Sequence, residues 1–165
     1  MQIESIHNSS DTPWKFPSQK KIGKYTIRFE DLVEFAQGSP LIGYLYINDN
    51  KIGKHDLFGA PFLLKGDYLY IPKFTRRFWM SGFILCKINV RTGQTENMSK
   101  IKSLIYLHCV DNGKILYYTD YSKSKEEACD IKKMLLSEFV KDRDIRGRMP
   151  HQENDVLLPS QSAPE

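Results

Sequence analysis

Residues 68–89 read YLYIPKFTRRFWMSGFILCKIN, and this stretch decides the fold. Its first part, YLYIPKF (68–74), and its continuation over 78–90 are dense in Tyr, Phe, Ile and Val, the residues that suit a pleated, half-buried surface. Pro72 has no N–H to donate, so the first strand is expected at a sheet edge, or to end there. Gly82 marks a bulge or twist point in the second. Just upstream, Phe62-Leu63-Leu64 and the Lys65-Gly66-Asp67 turn complete a hairpin with 68–74.

Working outward, the same grammar repeats. Residues 22–29 alternate, with Tyr25, Ile27 and Phe29 on one side and Lys24, Thr26 and Arg28 on the other, the period-2 pattern of a half-buried strand. Residues 31–35 suit one helical turn, which Gly38-Ser39-Pro40 ends. LIGYLYI (41–47) is a strand followed by an Asn48-Asp49-Asn50 turn. Downstream, Arg91-Thr92-Gly93-Gln94 turns the chain. Residues 101–110 and 114–119 flank Asp111-Asn112-Gly113, a strong hairpin signal.

The pattern then changes period. Ser124 with Glu127 fits a capping box, and Ala128, Ile131, Leu135 and Phe139 form one helical stripe. A helix is therefore expected over 125–141, its apolar stripe docked on the sheet. Residues 142–165 read as a flexible tail rich in Pro, Ser and Gln, and 1–21 as an irregular arm whose Trp14 and Phe16 dock on the core. The expected fold is mainly β: an antiparallel sheet or barrel-like domain of about seven strands over 22–141, with one C-terminal helix packed on it. Residues 65–71 echo 111–118 at an offset of 46, inside the ~40–50 residues of a propeller blade. The chain has strands for about two blades, whereas a closed propeller needs about four or more.

Composition sets the outer limits. The chain has 165 residues, net charge +4, 41% hydrophobic and 27% charged residues, values of an ordinary globular domain rather than a disordered chain. It is too short for a barrel of eight β/α units, which needs ~250 residues. Cys86, Cys109 and Cys129 are odd in number and form no C-x-x-C pair, which suggests neither a metal nor a redox site and suits a reducing compartment. Residues 1–10 carry no secretory signal pattern, and no apolar run approaches the ~20 residues of a membrane helix. A cytoplasmic location without membrane contact is expected.

Catalytic signatures are missing: no G-x-S-x-G, no phosphate-binding glycine loop, no H-E-x-x-H. His55 beside Asp56 is a neighbour pair whose side chains point apart, and a Cys86–His108 dyad would need a strand pairing that the sequence does not define. The expectation is a non-enzymatic protein with no cofactor and no metal.

The weak basicity has a location. Residues 68–95 contain no Asp or Glu but carry Lys73, Arg76, Arg77, Lys87 and Arg91 among dense aromatics. Within KFTRRFW (73–79), three readings compete. Phe74, Phe78 and Trp79 can be core residues with the arginines solvating a bend. The same residues can anchor a protein partner, since Arg, Trp and Tyr are the usual hot-spot residues. Or the cations can neutralise phosphates while the rings stack on bases. The candidate partner-binding residues are Lys73, Arg76, Arg77, Phe78, Trp79, Lys87 and Arg91.

Phe58-Gly59-Ala60-Pro61, then GDYLYIP (66–72) and GFILCKIN (82–89), resembles small immunity proteins of bacterial toxin–immunity systems, over roughly residues 40–120. That resemblance implies a cytoplasmic, β-rich toxin inhibitor. Immunity proteins that cap nuclease toxins are often acidic, so the basic character here would suit a toxin with an acidic or mixed face. A single-stranded nucleic-acid-binding domain using the same face is the second reading.

Overall fold

In the computed structural model, the described residues are 10–131. Twelve strands lie among them, more than the seven expected: β1 (Gln19–Ile22), β2 (Tyr25–Glu34), β3 (Leu41–Ile47), β4 (Asn50–Lys51), β5 (Leu57–Phe58), β6 (Leu63–Lys65), β7 (Tyr68–Arg77), β8 (Met80–Asn89), β9 (Thr95–Asn97), β10 (Tyr106–Asp111), β11 (Lys114–Tyr118) and β12 (Glu126–Asp130). They form two open antiparallel sheets. The larger has the order β1-β2-β3-β5-β7-β8-β9, with β4 on β3 and β6 on β7; the smaller is β10-β11-β12.

β7 and β8 are the centre of the molecule because both of their faces are buried. Leu69, Ile71, Cys86 and Ile88 enter a core that includes Ile27, Phe29, Leu45 and Phe58. Their alternating neighbours Tyr70, Phe83 and Leu85 enter a second core with Leu107, Ile115 and Tyr117 of the small sheet. Burial on both faces explains the near-continuous apolar run that makes 68–89 legible as a hairpin.

Pro72 sits inside the sheet, not at its edge: it pairs Leu85, with β8 on one side and β5 and β6 on the other. Leu85 turns its backbone groups away from β7, its N–H donating to Ser99 Oγ at 2.8 Å and its C=O accepting from Met98 at 2.6 Å. The pair is therefore a non-hydrogen-bonded one, and the nitrogen of Pro72 faces the gap where the chain leaves the ladder between β5 and β6. That gap contains the cis Ala60–Pro61 peptide. Gly82 is no bulge either; the β7–β8 register runs unbroken from Tyr68↔Asn89 to Arg77↔Met80. Its role is close approach, since a Cβ there would lie 2.4 Å from the Lys102 carbonyl oxygen.

Two further expectations are corrected. Residues 31–34 continue β2 through a bulge at Asp31 (φ 52), which shifts the register between Glu30 and Val33, so no helical turn forms. Residues 126–130 are β12, paired with β11 from Lys114↔Asp130 to Tyr118↔Glu126, where a helix was expected. The capping signal serves a turn instead. Asp120 accepts hydrogen bonds from the Ser124 hydroxyl (2.6 Å), the Ser124 N–H (3.2 Å) and the Lys125 N–H (2.8 Å), which returns the chain as a strand. The remainder of the expected helix, 132–141, and the tail expected over 142–165 lie outside the described residues. β1 begins inside the arm expected to be irregular. Phe16 of that arm packs on Phe29 at 5.0 Å, and Trp14 stacks on Tyr121 at 4.6 Å.

Candidate functional site

Phe78 and Trp79 are the two-residue turn of the β7–β8 hairpin, and both are 93% exposed. Neither is a core residue. Met80 beside them is 54% exposed. The hairpin outruns its neighbours: β5 reaches only Phe74, and Phe83 is the last residue bridged on the other edge, by Lys102. Residues 76–81 therefore stand out as a two-stranded ribbon.

The tip is costly to form. Tight hairpin turns favour Gly, Asn or Asp because they need positive φ. Here Phe78 adopts φ 47. A left-handed conformation on a side chain with a Cβ costs ~1–2 kcal/mol. The rings stand 5.7 Å apart, centroid to centroid, tilted at 44°. Strain and exposure therefore coincide at one point of the fold.

Below the tip the ribbon becomes aromatic again. Phe74 packs on buried Phe83 at 5.7 Å and on half-exposed Phe35 at 4.7 Å. Sequence reasoning missed Phe35, and Val33 next to it, because a helical turn was expected there; no motif marks them.

The seven candidate residues do not share one face. Arg76 and Arg77 flank the tip and have no ion-pair partner among the described residues. Lys73 pairs with Asp56 at 2.9 Å and Lys87 with Glu96 at 3.0 Å, both well covered, so these charges are spent inside the fold. Lys87 also sits 4.7 Å over the Tyr68 ring. Arg91 lies past the far end of β8, where it pairs with Asp67 at 2.9 Å. At ~3.4 Å per residue the length of β8 puts it roughly 30 Å from the tip. Three of the five cations of the acid-free stretch are neutralised by carboxylates from 56, 67 and 96, which linear sequence cannot show. Arg76, Arg77, Phe78 and Trp79 remain together.

The other groups weighed for chemistry are apart. Cys86 is buried in the first core, where desolvation pushes its thiol up to about 12. His108 is exposed on the small sheet, where it is the extra residue of a bulge between Leu107 and Cys109, its ring 5.3 Å from that of Tyr118. The bulge lets both Leu107 and Val110 face the second core. Asp56 is held by Lys73 rather than by His55. Among the described residues no three His, Cys, Asp or Glu side chains converge as a metal site would require, and no helix is long and apolar enough to cross a membrane.

Comparison with protein-family models, with curated proteins and with solved structures gives no match.

Proposed function

We propose that this chain is a non-enzymatic protein-binding module that inserts the β7–β8 tip into a partner. In line with the resemblance of residues 40–120, it acts as a cytoplasmic immunity protein that neutralises a cognate bacterial toxin. The observation that carries the reading is the pair Phe78 and Trp79, each 93% exposed and held out on a ribbon directly after Arg76 and Arg77, which have no ion-pair partner among the described residues. A projecting tip suits a concave partner site. Phe78 and Trp79 would supply the desolvated anchors, and Arg76 and Arg77 would meet carboxylates on its rim. Such a partner is acidic or mixed at the contact, consistent with the basic tip.

The test is growth rescue in a host expressing the toxin encoded beside this chain's gene. Co-expression of the chain is expected to restore growth, and the Phe78→Ala, Trp79→Ala double variant is expected to lose the rescue at equal soluble yield. Rescue that survives the double variant would refute the tip as the contact. No rescue by the parent chain would refute the immunity reading.

The second reading, a single-stranded nucleic-acid binder, draws on the same juxtaposition of two arginines and two rings. Its signature is an oligonucleotide affinity that falls steeply with salt. With Arg76 and Arg77 as the cations at the tip that make no ion pair among the described residues, the slope of log K against log [salt] would be about −1.4 on a single strand.

A further inference from the structure

The end of the sheet opposite the tip has a cleft that the tip's role leaves unused. Three turns meet there: the β1–β2 turn with Lys24, the β3–β4 turn with Asn48, and the β8–β9 turn with Arg91 and Thr92. The cleft has two overlapping lobes of about 520 and 360 Å³, which share Ile47, Asn50, Val90 and Arg91. Its apolar lining is buried Ile47, Ile52 and Val90. Its charged lining is entirely cationic: Lys24, Lys51 and Arg91.

The neighbouring acids are already engaged. Asp67 accepts from the Tyr25 hydroxyl at 3.1 Å and pairs with Arg91 at 2.9 Å, and Asp49 pairs with Arg28 at 3.3 Å. Asp67 and the Tyr25 hydroxyl engage Arg91 on one side, and the guanidinium, with five N–H donors, keeps others to offer. Asn48 Oδ1 accepts from the Thr26 N–H at 2.9 Å, which leaves the amide nitrogen of Asn48 as a donor. The turns are fixed by positive φ at Gly23 (58), Asn48 (47), Asp49 (64) and Gly93 (73). The result is a shallow cleft with a rim of cations and donors around a small apolar patch, on a preset backbone.

We propose that this cleft binds a small organic phosphate, with the phosphoryl group held by Arg91, Lys24 and Asn48 and the organic body over Ile47 and Val90. Guanidinium and ammonium donors suit a phosphate's several acceptor oxygens and its charge. The volume suits a body of nucleotide size, and the patch gives that body apolar contact that a bare ion cannot use.

The test is an amide chemical-shift titration of the full chain with adenosine monophosphate as the probe. Saturable shifts are expected at residues 24–25, 47–52 and 90–93, with inorganic phosphate binding the same residues at least tenfold more weakly. Arg91→Ala is expected to weaken binding about tenfold or more. Lys24→Ala, whose side chain makes no ion pair among the described residues and sits over the Tyr25 ring, is expected to weaken it about threefold. Lys114→Ala, on β11 of the small sheet, leaves it unchanged. The proposal is overturned by no saturable shift up to about 10 mM, or by shifts scattered over the surface lysines. It is equally overturned by phosphate binding as tightly as the nucleotide, or by full affinity in both cleft variants.

Discussion

Phe78 does what its residue type resists. A φ of 47 on a phenylalanine in a two-residue turn is a local cost, so glycine at that position should fold better. Phe78→Gly is expected to raise the unfolding free energy by ~1 kcal/mol, read as a shifted denaturant midpoint, while reducing partner affinity more than tenfold. A destabilised Phe78→Gly would show that the tip is not strained. Cys86 makes the opposite point, a residue whose position is wholly structural. Burial holds its thiol up to about 12 from an ordinary 9, and Tyr70 up to about 12 from 10. Both groups are neutral in the fold. Their contribution is complete below pH ~9 and is lost as pH climbs toward 12, because the unfolded chain releases these protons first. The melting temperature should therefore fall steadily across pH 9–12, and a thiol reagent at pH 8 should leave Cys86 unlabelled until the chain unfolds. Labelling at the rate of a free thiol would contradict its burial.

At the scale of elements, Gly82 joins the ribbon to the rest of the fold. A methyl group there meets the Lys102 carbonyl at 2.4 Å and Ile101 Cγ2 at 2.9 Å, so Gly82→Ala should cost ~1–3 kcal/mol by chemical denaturation, and a neutral result would place residues 101–102 elsewhere. Most strands were legible because their signals are local. YLYIPKF and GFILCKIN are apolar on both faces, Asp111-Asn112-Gly113 is a hairpin turn on sight, and 22–29 alternates. The misread elements are those where a long-range partner overrides the local pattern. Ser124, at capping spacing from Glu127, is drawn into an Asp120-centred turn, and Glu127 itself lies in the strand that pairs with β11. Arg77-Phe78-Trp79-Met80 holds no turn chemistry, so the hairpin's apex was hidden inside what looked like strand. Phe35 reaches the aromatic cluster under the tip only through tertiary packing against Phe74.

For the whole molecule, the two ends of the β7–β8 hairpin divide the work. Its middle is committed to the two cores on its opposite faces, and there Lys73 and Lys87 are neutralised by acids from elsewhere. One end carries an exposed, strained, basic–aromatic tip, and the other closes a cation-rimmed cleft with Arg91. The net charge of +4 therefore describes no single surface, and the candidate contact contracts from seven residues to four. The most direct measurement of the central claim is the affinity of the proposed toxin partner for the Phe78→Ala, Trp79→Ala variant beside a Lys114→Ala control on the small sheet, by calorimetry. A loss of about a hundredfold or more, with the control and both unfolding midpoints unchanged, is the predicted result. Equal affinity across all three proteins would contradict the tip as the binding element.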